Sequence, residues 1–154
     1  MILKLRQRMS QDESGFTLVE LLVVMLILGI LAAIAIPAFL NQRSKANDSD
    51  AKTSANTAQT AIETLATDNN GSYASANNNP GALTAIEPEL NNASFTVAAT
   101  PDTYTITVTA DTTNNTFSVS RAANGTLTHP CTVASASNRG GCPGSGGNPG
   151  DWGT

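Results

Sequence analysis

The 154-residue chain changes its hydrophobic pattern three times. From Phe16 to Leu40 the side chains are almost continuously apolar, and Glu20 is the only charge in that run. At 1.5 Å per residue a helix of this length reaches about 37 Å, enough to cross the roughly 30 Å hydrocarbon core of a bilayer. The run is longer than the apolar region of a secretory signal, and no A-x-A cleavage site follows before Asn41. A polar stretch comes next, with Ala51, Ala55, Ala58, Ile62 and Leu65 at steps of four and three. That is one apolar stripe on a helix, with Arg43, Lys45, Lys52 and Glu63 suited to its wet flanks. The stripe is mostly alanine, so whatever packs on it must come close. Asp68-Asn69-Asn70-Gly71 supplies a stop, with Gly71 suited to a left-handed cap.

After a polar connector broken by Pro80, Gly81 and Pro88, the period becomes two. Phe95, Val97 and Ala99 alternate with polar or small residues. Tyr104, Ile106 and Val108 alternate with threonines, and Phe117 and Val119 with Thr116, Ser118 and Ser120. These read as three strands with one buried and one solvated face, and a fourth short strand is expected around Leu127. Turn residues at 100–102, 111–115 and 123–125 keep the connections short, which makes neighbouring strands antiparallel. The predicted fold class is therefore α+β, a long N-terminal helix packed on an antiparallel sheet of three to four strands. Residues 137–154, rich in Gly and Pro and holding Trp152, are expected to be irregular.

Charge and composition narrow the function. Charged residues make up 13% of the chain and its net charge is -4, so no basic face is available to neutralise nucleic-acid phosphates. Lys4, Arg6 and Arg8 precede the apolar run, which favours a cytoplasmic N-terminus and an exported remainder. Cys131 and Cys142 then face an oxidising space and are expected to pair, the alternative being two separate buried thiols. His129 reads as a surface histidine rather than a zinc ligand, because the four ligands of such a site are missing. Asp48 and Asp50 begin like a calcium loop, but the glycine and closing glutamate do not follow, so both read as solvated helix charges. No serine has a supported histidine and acid partner, and no phosphate-cradling glycine loop occurs. The chain is expected not to be an enzyme and to need no cofactor or metal.

The unexplained residue is Glu20. A carboxylate in hydrocarbon costs several kcal/mol, so it is paired, functional, or close enough to the edge to reach water. Gly15-Phe16-Thr17-Leu18-Val19-Glu20, after a short basic leader and before the apolar run, resembles the class III signal of type IV pilins and related pseudopilins. The order of later features, Pro37, the long helix, the small sheet and the cysteine pair, is similar too. The resemblance implies a type IV pilin fold with three parts: a leader at 1–15 that is cleaved, a transmembrane and filament-core half-helix at 16–40, and an exported domain at 41–154. It implies cleavage between Gly15 and Phe16 by a prepilin peptidase, and N-methylation of Phe16. It makes Glu20 an assembly determinant and Gly29 and Pro37 sites of helix flexibility.

The implied partners are copies of itself, the prepilin peptidase, the pilus assembly platform with its ATPases, minor pilins and, before assembly, the cytoplasmic membrane. The implied location is a single-pass precursor in the inner membrane, then an extracellular pilus. The resemblance is to a major structural pilin above all, and three alternatives stay open: a pseudopilin of a type II secretion system, a minor pilin, and a membrane-anchored binding domain that never polymerises.

Overall fold

The computed structural model describes residues 16–135, 140–143 and 150–153. The leader at 1–15, with Gly15, lies outside the described residues. One helix, α1, runs Leu18–Asp68. The described chain divides between Phe39 and Leu40 into two units, which we take in turn.

In the first unit α1 carries apolar side chains on all faces, and all of them are exposed. Leu18, Met25 and Ile34 have 78%, 75% and 71% of their surface open, values that a core helix would not show. Length, composition and lack of cover together mark the segment as fit to cross a membrane.

The second unit begins at Leu40 and is built around the alanine stripe. Ala51, Ala55, Ala58, Ala61, Ile62 and Ala66 are buried, and Leu65 packs at the margin. Against them lies the inner face of the sheet. Strands β1 (Ser94–Ala99), β2 (Tyr104–Thr109) and β3 (Thr116–Arg121) form an antiparallel meander. The register aligns Val97 with Ile106 and Ile106 with Val119, and Phe95 with Val108 and Val108 with Phe117. The side chains of large volume therefore come from the strands and the small ones from the helix. This division lets the sheet approach α1 closely, as close packing of an interior requires.

The expected fourth strand is β4 (Leu127–Thr128), paired with β3. Two more short strands extend the sheet, β5 (Pro130–Thr132) and β6 (Gly150–Asp151), giving the order β1-β2-β3-β5-β6 with β4 also on β3. Strands of two or three residues hold no readable alternation, which is why the sheet is wider than the pattern indicates. The part of the tail expected to be irregular thus includes a strand. Trp152, beside β6, donates its indole N–H to the Ser118 carbonyl at 3.1 Å and meets the Phe117 ring edge-on.

Helix α1 stops where the sequence indicates. Gly71 adopts φ +84° and its N–H returns to the Ala66 carbonyl at 2.7 Å, closing the last turn. The connector is more ordered than its polar composition suggests. It holds a 3-10 turn at Ala74–Ala76, a one-turn helix α2 at Pro80–Thr84 and a 3-10 turn at Pro88–Asn92. Tyr73, Ala76, Leu83 and Leu90 enter the core from these turns. The connector also covers the outer edge of β1. The Asn78 N–H donates to the Val97 carbonyl at 3.0 Å, and the Ala99 N–H donates to Asn77 Oδ1 at 3.1 Å.

Asp48, expected to be solvated, is not, and Lys52 and Glu63, expected on the wet flanks, are partly covered. Asp48 is fully buried, so its reading as a solvated helix charge is corrected. Its carboxylate accepts from Thr113 Oγ1 at 2.5 Å, Asn115 Nδ2 at 2.9 Å and the Gly141 N–H at 2.7 Å. Burial of a carboxylate is tolerable only with such compensation. Glu63 is half-covered and accepts from Tyr73 Oη at 2.8 Å, Tyr104 Oη at 2.9 Å and Arg121 Nη1 at 3.2 Å. Burial, then the hydrogen bond to Glu63, raises the Tyr73 and Tyr104 phenols above their ordinary range.

Candidate assembly site at the N-terminal helix

The start of α1 is organised by its own sequence. Thr17 stands at the N-cap. Its Oγ1 accepts from the Glu20 N–H at 3.2 Å, and its carbonyl takes the first helical bonds from Glu20 and Leu21. Thr17-Leu18-Val19-Glu20 is therefore a T-x-x-E capping sequence with Glu20 at the third helical position. A carboxylate in the first turn also complements the helix dipole. Thr17 was missed as a site residue, although the spacing that reveals it stands in the sequence. The cap gives Glu20 a local role that does not need a second chain.

Phe16 precedes the cap and is 75% exposed. The Glu20 side chain is also exposed, as is every described residue through Leu40. What this segment offers chemically is thus an uncovered apolar cylinder with one acidic position at its start. Gly29 lies in the same cylinder, and beyond its chain neighbours and the helix's own backbone nothing comes within 4 Å of where its Cβ would stand. Pro37 is inside the helix, whose run continues through it. Pro37 still removes one backbone donor, and Gly29 has low helix propensity, so the stretch between them has weaker local support than its neighbours.

The described structure joins Cys131 and Cys142 in a disulfide with Cα atoms 5.8 Å apart, both residues buried. His129 packs edge-on against the Trp152 ring at 5.0 Å between centres. These groups lie in the second unit.

The uncovered apolar helix with an acid in its first turn defines a class, chains with a segment fit to enter a membrane. Comparison with known proteins identifies the family. A profile described as the prokaryotic N-terminal methylation motif matches residues 10–36. The chain is 38% identical over 97 residues to the type IV wide pilus major component of Thermus thermophilus, covering 61% of this chain and 71% of that protein. It is 50% identical over 46 residues to the type IV major pilin protein of Myxococcus xanthus, covering 30% of this chain and 21% of that one. It is 43% identical over 60 residues to a type IV major fimbrial protein of Dichelobacter nodosus, with 39% and 38% covered. The match thus spans about a fifth to two-fifths of the length of the last two relatives. No solved structure matches. The chain belongs to the type IV pilin family.

Proposed function

We propose that this chain is a major pilin, a subunit that is processed at its N-terminus and polymerises through α1 into a type IV pilus on the cell surface. The observation that carries the reading is the wholly uncovered apolar run from Phe16 to Leu40 with its single carboxylate. Such a surface is stable in lipid or against copies of itself, and not in water. The relatives' names, pilus and fimbrial subunits, support the same reading.

In this reading residues 1–15 are removed by a prepilin peptidase cutting between Gly15 and Phe16. The new Phe16 amine is methylated and remains cationic. The half-helix at 16–40 first holds the subunit in the cytoplasmic membrane, N-terminus inside, while the domain at 41–154 is exported. On docking, the Glu20 carboxylate of one copy meets the Phe16 amine of a neighbour. The pair fixes the axial register of each added copy, a role in which specificity outweighs net stability. The segment from Gly29 to Pro37 supplies local give in the bundle. The assembly platform with its ATPases and the minor pilins complete the set of partners. Adhesion, motility or DNA uptake follow from the filament as a whole.

The test separates the charge of Glu20 from its cap. Glu20→Gln keeps the capping geometry, which Gln supports as well as Glu, and removes the charge. N-terminal sequencing of the exported protein should give Phe16 first in wild type and variant alike. Electron microscopy of sheared surface material should show long filaments only for wild type. Normal filament yield from Glu20→Gln would refute the pairing role. A wild-type chain that keeps Met1 and stays monomeric would refute the assembly reading and leave a plain membrane anchor; a short periplasmic fibre would indicate a secretion pseudopilin.

A further inference from the structure

Asp48 and Lys52 stand four residues apart on α1, and between them they hold one residue of the C-terminal segment. The Gly141 N–H donates to Asp48 Oδ2 at 2.7 Å, and the Gly141 carbonyl accepts from Lys52 Nζ at 2.7 Å. An anionic acceptor and a cationic donor in step with one residue's two backbone groups fix both its place and its chain direction. The clamp is itself braced. Thr113 and Asn115 hold the carboxylate, and the ammonium lies 5.4 Å from the Phe117 ring centre and 5.8 Å from the Trp152 ring centre. Gly140 has φ +47°, and a Cβ there would lie 1.5 Å from Asp48 Oδ2, so the backbone comes as near the carboxylate as glycine allows. The next residue after Gly141 is Cys142, bonded to Cys131 of β5.

We infer that Asp48 and Lys52 form a backbone clamp that positions Cys142 for pairing with Cys131, so that clamp and disulfide are one redox-coupled catch. Closing a flexible loop across the 11-residue separation brings two thiols together only at the millimolar effective concentration typical of short chains. A folded dithiol state in which the helix already grips Gly141 raises that value. The coupling is reciprocal: the factor by which the clamp favours the disulfide is the factor by which the disulfide favours the clamp. The exchange is balanced with glutathione as reductant. The protein disulfide and two glutathione thiols give two protein thiols and one glutathione disulfide. Two electrons pass to the protein sulfurs, and the two glutathione thiol protons end on Cys131 and Cys142.

The test is a redox titration of the full chain in detergent micelles, equilibrated with mixtures of glutathione and its disulfide. Free thiols are trapped by alkylation and counted by mass. Asp48→Asn should lower the effective concentration of the thiol pair by about tenfold or more, and Lys52→Met by about threefold. Glu63→Gln, which disturbs a different cluster, should stay within about twofold of wild type. Circular dichroism of the reduced proteins checks that each variant folds. If Asp48→Asn does not fold, Lys52→Met carries the test alone. Values within about twofold of wild type for the folded clamp variants would overturn the inference. So would a fall for Glu63→Gln as large as theirs, because general stability would then be the cause.

Discussion

Glu63 offers the most direct test of what holds the second unit together. Its Oε1 accepts from the Tyr104 phenol and from Arg121 Nη1, and its Oε2 accepts from the Tyr73 phenol. The perturbation is Glu63→Gln, which keeps the shape and one acceptor oxygen but removes the charge. Hydrogen bonds to a charged partner contribute about 1.5–3 kcal/mol each. The Glu63 side chain is 37% exposed, so the lower bound applies to both phenols, and the Arg121 pair adds at most about 1 kcal/mol. Glutamine recovers about 1 kcal/mol through the bond its carbonyl keeps. The expected loss is about 2.5 kcal/mol.

The assay is urea unfolding of the full chain in detergent, with the midpoint falling at an unchanged slope. The same variant should bring the Tyr104 and Tyr73 phenols down toward their ordinary value of 10.0, read by ultraviolet titration. The sign for the wild type follows from linkage. Phenols whose folded pKa is raised add stability that is full below the unfolded value, near 10, and is lost as pH rises through the folded one. Wild-type stability should therefore decline from about pH 10 upward, and less so in the variant. A loss below about 0.5 kcal/mol with unchanged phenol titration would refute the reasoning.

Three further outcomes are expected. Ala58→Leu inserts bulk where the sheet approaches a fully buried helix position and should cost about 1–3 kcal/mol in the same unfolding assay. Gly140→Ala should lower stability by roughly 1–2 kcal/mol from its left-handed φ alone, and more from contact with Asp48, as seen in the thermal midpoint of the oxidised protein. Thr17→Val should loosen the first turn of α1 by about 1 kcal/mol yet leave filament yield close to wild type, because it spares the Glu20 charge, as counted in sheared material by electron microscopy.

The parts of this fold legible in the sequence are those with a period. Ala51, Ala55, Ala58 and Ile62 announce a helix face, and Tyr104, Ile106, Val108, Phe117 and Val119 announce strand faces, because each pattern repeats often enough to exceed chance. The apolar run and its acid are legible for the same reason. What escaped were single residues whose partners are distant in the chain. Asp48 looks like any solvated charge in its own helix. Its burial follows only from Thr113, Asn115 and Gly141, 65 to 93 positions further along. Glu63 reads as a wet-flank charge for a like reason, since its phenol partners belong to the connector and to β2. The Thr17 cap is a different case, a local signal present in plain spacing and overshadowed by the charge question at Glu20.

The connector laid along β1 has one more effect. In the proposed filament, subunits would sit side by side at very high local density, where a bare sheet margin would let two domains zip together backbone to backbone. Asn77 and Asn78 take up the Ala99 amide and the Val97 carbonyl, so that route is obstructed from within each copy. In that proposed filament, crowding could then press neighbouring copies together without fusing their sheets.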